Sequence, residues 1–329
     1  MLGAFYSFAI ALGFTAVAAA LLIPNQQSLP PSPKTVMGWM NLLDLPAATV
    51  GITALILFNF AWNQAPIVGW HSAYVCVCLV VGTLLFPVFF WLEAYRSSNP
   101  LIPWSALNST NAFVLGCVAC GWGNFGILIY YIWQIFEILR GDSPLLGSAY
   151  LSPLIISGAA AAMLTGWLLG HLRPAWLMVI AMSMFLTGNL LIATLPVHQI
   201  YWAQIFVFTL VAPLGMDMSF PAATIYLSNS IEKEHQGVAA SLVNTIVNYS
   251  ISLCLGFAGT VEINVNKGGT SPSDILRGYR GALYMGTGLS AFGLVLSIVF
   301  VSKTYWDDSK KQKISKDLAV EEASEETKH

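Results

Sequence analysis

The sequence predicts an all-α polytopic membrane protein with about nine transmembrane helices. Three observations carry that expectation. Of the 329 residues, 56% are hydrophobic and only 9% are charged, against about 25% charged in a soluble globular chain. Mean hydropathy is +0.68. The apolar residues are gathered into nine stretches, each near the roughly 20 residues that a helix needs to cross a bilayer, with polar, Pro-rich or charged segments between them.

The first span, 2–23, follows Met1 almost directly and lacks a positively charged n-region, so it reads as a membrane helix and not as a secretory signal. Residues 24–46, with PNQQSLPPSPKTVMGW, are too polar and Pro-rich to continue it. Spans 47–65 and 73–93 follow, then the break AYRSSNPLIPWSALNST over 94–110. Spans 112–138, 147–169, 175–195, 201–227, 238–261 and 282–302 complete the set. They are separated by a tight turn from Gly170 to Pro174, a charged loop SNSIEKEHQG at 228–237, and a Gly-rich polar stretch at 263–280. The tail from Lys303 onward is charged and poor in aromatics, a composition that predicts disorder.

Lysine and arginine placement orients the spans. With the tail cytoplasmic, nine spans put Met1 outside. The inner loops then hold Lys34, Arg96, Arg173 and Lys233, and the outer ones Arg140, Lys267, Arg277 and Arg280. The loops tie. Lys303, Lys310, Lys311, Lys313 and Lys316 in the tail decide for a cytoplasmic C-terminus. Net charge is -2, with no basic patch for nucleic acid.

Several features point away from catalysis. The cysteines Cys76, Cys78, Cys117, Cys120 and Cys254 all fall in apolar runs, where they read as small packing residues. The Cys117-Val-Ala-Cys120 spacing lacks a second pair or a nearby histidine. The five histidines are scattered without metal-ligand spacing, and there is no phosphate-binding loop or nucleophile elbow. Neither an enzyme, nor a metal, nor a cofactor is expected. Two glycosylation sequons, at Asn108 and Asn248, fall on the cytoplasmic side and inside a span.

Polar residues inside the spans carry the candidate chemistry. A charged residue at mid-helix costs about 2.5–3.5 kcal/mol on insertion scales and tends to face a bundle interior or a watery path. Asp217 is such a residue. Pro213 and Pro221 lie four residues to either side of it, so the three share one helix face. Each proline removes a backbone donor, is expected to kink the helix, and leaves a carbonyl without its usual partner. A moving or ligand-lining element with a protonatable acid is one reading, and a purely structural pairing is the other. Span 112–138 is about 40 Å long at 1.5 Å per residue. It places Tyr130, Gln134 and Glu137 on one face, and adds Trp122, Asn124, Phe125, Tyr131 and Trp133. These could form an interfacial aromatic belt or line a cavity. In span 238–261, Ser241, Asn244, Asn248 and Ser252 form one stripe that either bridges helices or lines a cavity. Gly158, Ala162, Gly166 and Gly170 recur every four residues, a stripe expected to let a neighbouring helix approach closely.

Three blocks, ILFNFAWNQAPIVGW (56–70), GMDMSFPAATIYLSNS (215–230) and QGVAASLVNTIVNYSISLCLGFAGTVE (236–262), resemble the fungal drug:proton antiporter branch of the major facilitator superfamily, in its fourteen-helix, aminotriazole-resistance-like form. The likeness covers residues 1–303. It implies that 1–23 is the last helix of an N-terminal bundle, 24–46 a cytoplasmic loop, 47–93 two linker helices, and 111–303 a six-helix C-terminal bundle, with 304–329 a disordered cytoplasmic tail. On that plan five N-terminal helices are missing, together with the family's antiporter motif. The loop in the C-terminal bundle reads Gly166-Trp-Leu-Leu-Gly170-His171 and lacks the acid of the family pattern.

The resemblance also implies alternating access around a mid-membrane site, with proton entry driving export of drugs, toxic compounds or secondary metabolites. Trp122, Asn124, Tyr130, Tyr131, Gln134, Asn244 and Asn248 are then substrate-cavity candidates and Asp217 the proton-coupling one. Partners would be a small-molecule substrate, protons, the lipid bilayer and an N-terminal bundle. The membrane would be the plasma membrane, with the vacuolar one as the alternative. A chain with half a cavity is not expected to transport alone. A membrane interaction protein derived from such a transporter, or a carrier of a small inorganic solute of the ammonium or borate kind, stands beside the first reading.

Overall fold

The computed structural model describes residues 2–22, 35–97, 100–102, 108–231 and 236–326. Among them every regular element is helical: α1 (Leu2–Leu22), α2 (Val36–Leu42), α3 (Leu45–Val68), α4 (Ala73–Tyr95), α5 (Ser109–Gln134), α6 (Pro144–Leu151), α7 (Pro153–Leu169), α8 (Pro174–Ala193), α9 (Ile205–Asn229), α10 (Gln236–Asn266) and α11 (Pro272–Glu326). Nine helical segments among the described residues are long and apolar enough to cross a membrane. The protein is an integral, multi-pass membrane protein.

The ends of the helices follow local chemistry. Prolines open α6, α7 and α8 at their first positions, where the missing N–H has no helical partner to lose. Asn108 caps α5 by accepting from the Asn111 N–H at 2.8 Å. Gly69, at φ +87°, ends α3 in a conformation that a side chain would strain. α5 runs on into a π-turn over Ile135–Leu139.

Four expectations from the sequence change here. The span 147–169 is two helices, broken at Ser152–Pro153. Residues 36–42, placed in a loop, form α2 with Thr35 as its cap. α10 continues to Asn266, which brings Glu262 from a span end into a helix. The tail is helical as far as Glu326, where disorder was expected. Its residues are mostly Lys, Glu, Asp and Ala, and the straight-chain ones among them and Ala are strong helix formers that extend a helix already nucleated by the membrane segment. The Lys34 and Lys233 loops and residues 327–329 lie outside the described residues.

α5, α8, α9, α10 and α11 enclose the core. One buried cluster holds Val118, Leu177, Met182, Ala222, Val243 and Phe300. A second, nearer the other end of α5, holds Ile127, Tyr131, Phe136, Ile192, Phe208 and Leu283. α7 packs on α9 and only grazes α8. α3 and α4 form a pair, and α3 lies against α10. That contact is close because a Cβ at Gly256 would sit 2.9 Å from the Trp62 carbonyl oxygen. It is also polar. Asn59 Nδ2 donates to Ser252 Oγ at 2.8 Å, Asn63 Nδ2 to the Ser252 carbonyl at 3.2 Å, and the Tyr249 hydroxyl to the Leu55 carbonyl at 3.3 Å. α1 is exposed from Phe5 to Leu22.

Candidate substrate and proton site

α9 stays helical through both of its prolines, and the surrounding chain compensates one of them. Pro213 has no N–H for the Thr209 carbonyl, and Ser157 Oγ on α7 donates to that carbonyl at 2.5 Å. Four residues on, Asp217 is half-buried at the seam between α5, α7 and α9. Its Oδ2 lies 3.7 Å from where a Cβ on Gly158 would be, so the glycine leaves room for the carboxylate. Among the described residues its side chain has no hydrogen bond, and the one ion pair is the distant Arg140–Asp142 contact at 3.0 Å.

Two clefts meet at Asp217 and Met216. One, of about 370 Å³, is walled by Trp122, Ala162, Thr165, Gly166, Phe220 and Pro221. The other, of about 280 Å³, is walled by Phe125, Ile129, Gly158, Phe208 and Pro213. Trp122 is held in place there. Its Nε1–H donates to Ser219 Oγ at 3.2 Å, and its ring meets Phe125 and Phe185 edge-on at centroid distances of 5.6 and 6.3 Å.

The small-residue stripe does something other than close packing. Gly158, Ala162 and Gly166 line the two clefts, Gly166 has open space where a Cβ would go, and Gly170 faces only the Trp167 carbonyl of its own helix. The buried residues of α7, Ala161 and Thr165, are one residue over, in line with half-buried Ser157. In this register Ser157 reaches the carbonyl that Pro213 frees.

The remaining candidates divide. Tyr130 is 43% exposed, and Gln134 is half-buried one turn above it. Asn244 and Asn248 are exposed on α10, where Asn248 Nδ2 donates to the Asn244 carbonyl at 2.8 Å. The fourth residue of that stripe, Ser252, is turned to α3 instead. Tyr131 is 1% exposed, and its hydroxyl donates to Glu262 Oε2 at 2.6 Å. Asn124 is the clearest departure from expectation. It is fully buried between α5, α8 and α11, with Nδ2 donating to the Phe185 carbonyl at 3.3 Å. It bridges helices and does not reach the clefts.

Beside Asn124, Asn189 donates to the Leu283 carbonyl at 2.7 Å and to Thr287 Oγ1 at 2.9 Å. Sequence reasoning missed Asn189, and missed Asn59 and Asn63 on α3. The last two stand four residues apart in an apolar helix, a signal that was present.

The sequence is related to that of known proteins. The family model described as Major Facilitator Superfamily matches residues 112–324. The chain belongs to the major facilitator superfamily. It is similar to a protein named "Low affinity ammonium transporter" from Saccharomyces cerevisiae, at 49% identity over 94% of this chain and 59% of that protein. It is also similar to "Efflux pump terG" from Aspergillus terreus, at 38% identity over 97% of this chain and 60% of the pump. A third relative is the "Aminotriazole resistance protein" of S. cerevisiae, at 34% identity over 92% of this chain and 54% of that protein. The chain therefore spans a little over half the length of these relatives. The superfamily match covers α5 to α11, the helices that hold Asp217 and both clefts.

Proposed function

We propose that the chain supplies the C-terminal half of a proton-linked secondary transporter, with Asp217 as the carboxylate that takes up and releases the proton. The observation that carries this reading is the place of Asp217. It is a carboxylate inside a membrane helix, without a cationic partner among the described residues, at the meeting of two clefts walled by aromatic and small side chains. An acid in that setting is costly to keep charged, and proton exchange relieves the cost.

The open faces of α5 and α10, with Tyr130, Gln134, Asn244 and Asn248, would line the substrate path against an N-terminal bundle. The C-terminus would be cytoplasmic, in the plasma membrane or the vacuolar membrane. The aromatic walls suit moderately apolar organic molecules, as the efflux-pump relatives suggest. A small inorganic cation is the second reading, because a carboxylate beside the Trp122 ring suits a cation and a relative at 49% identity is named for ammonium transport.

The experiment is transport driven by a pH gradient in proteoliposomes that hold a full-length relative. Changing its counterpart of Asp217 to asparagine should abolish coupled flux while membrane insertion stays intact. Unchanged flux would remove the proton role.

A further inference from the structure

The chain holds a second membrane acid whose surroundings are as specific as those of Asp217. Glu262 lies one turn before the end of α10. It accepts the Tyr131 hydroxyl proton at 2.6 Å. Gly278 of α11 covers it so closely that a Cβ there would stand 3.1 Å from Glu262 Cγ and 3.3 Å from its carbonyl oxygen. Tyr131 in turn packs on Tyr279 with the rings tilted by 57° and their centroids 5.4 Å apart, and meets Tyr130 edge-on at 5.1 Å.

The ionisable groups gathered at Glu262 are thus phenols: Tyr131 of α5, with Tyr130 beside it, and Tyr279 of α11. The other ionisable groups nearby are engaged or turned elsewhere. Arg280 donates to the Leu195 carbonyl at 3.3 Å, Asp274 accepts from Ser271 at 2.6 Å, Arg140 pairs with Asp142, and Arg277 and Lys267 are exposed. α3 carries no ionisable side chain. On α9, Asp217 is at mid-helix and Tyr226 toward the other end.

We propose that Glu262 is a second proton-exchanging carboxyl of this chain, separate from Asp217, with Tyr131 as its positioning residue. When ionised, Glu262 draws a charge-assisted bond from Tyr131, and that bond ties α5 to α10 beneath the Gly278 cover of α11. When the carboxyl takes a proton, the bond becomes an ordinary neutral one of about half the strength, and the seam between α5 and α10 loosens at that end. Protonation of Glu262 is in this way linked to how firmly three helices close around one mouth of the bundle, whereas Asp217 sits halfway along its helix. The inference does not depend on the role proposed for Asp217.

The full chain in lipid nanodiscs, titrated with pH and followed by infrared difference spectroscopy, tests it. The expected result is a protonated-carboxyl band that Glu262→Gln removes and that Tyr131→Phe moves in frequency without removing. Asp217→Asn should leave that band in place and remove a different one, so failure of either assignment is visible by itself. If Glu262→Gln does not fold, Tyr131→Phe carries the test, because it keeps the ring and its contact with Tyr279. A spectrum that neither change alters means a structural hydrogen bond only, and overturns the proposal.

Discussion

Two regions of the bundle treat polar side chains at membrane depth in opposite ways. Between α5, α8 and α11, Asn124 and Asn189 are fully buried and spend their donors on backbone carbonyls and a threonine. Between α5, α7 and α9, Asp217 is half-buried, has no such donor, and faces glycines and open clefts. The first region glues helices together. The second leaves an acid available. The difference shows that depth in the membrane does not identify a functional residue. Asn124 and Asn189 keep side-chain oxygens that are buried without a partner among the described residues, so what distinguishes a functional residue is whether the group opens onto a cleft, as Asp217 does.

The contrast can be broken at four points. The largest effect should come from neutralising the open acid: Asp217→Asn, made at the matching position of a full-length relative, should reduce proton-driven flux to background, and its thermal midpoint in detergent should stay close to the parent's. Flux that survives would make Asp217 another structural group. On the closed side, Gly286→Ala should destabilise by about 1–3 kcal/mol through overpacking, because the new Cβ would meet Asn124 Oδ1 at 2.7 Å and Asn189 Nδ2 at 3.0 Å. Asn189→Leu, made at the matching position of a full-length relative, should cost about 0.6–1.7 kcal/mol, from the average to the maximum for hydrogen bonds between membrane helices, read as a lowered unfolding midpoint with transport retained in those molecules that fold. The smallest effect belongs to Gly166→Ala on the open side, where nothing stands within 4 Å of the new methyl group. It should stay within about 0.5 kcal/mol of the parent, and a larger loss would show that α7 closes on another helix there.

What could be read from the chain depended on how local the physics is. Asp217 and its two prolines were legible because an acid in an apolar run is costly wherever the helix ends up, and the three share a face by spacing alone. The Gly158–Ala162–Gly166–Gly170 stripe was equally legible as a pattern but misleading as a contact. Its neighbour Ser157 takes the contact by satisfying the Thr209 carbonyl, a demand made by a proline more than fifty residues away. The amide stripe of α10 divided for a similar reason: Ser252 met Asn59 and Asn63, while Asn244 and Asn248 met no other helix. Glu262 was not legible as a site residue because the span expected from hydropathy, 238–261, stops one residue short of it, whereas α10 runs to Asn266.

By itself the sequence determined the class of the protein, the number of apolar spans, the breaks between most of them, and the presence of an acid that a membrane helix tolerates only for a reason. Those properties follow from the cost of moving backbone and charge into hydrocarbon, and each segment bears that cost alone. Tertiary structure decided which face of each helix turned inward, which amides became glue, which acid received a tyrosine, and which acid was left facing a cleft. Lipid tails and helix interiors are similarly apolar, so hydropathy cannot rank the faces of a membrane helix. Close packing and hydrogen bonds between helices choose among them, and those partners lie far apart along the chain.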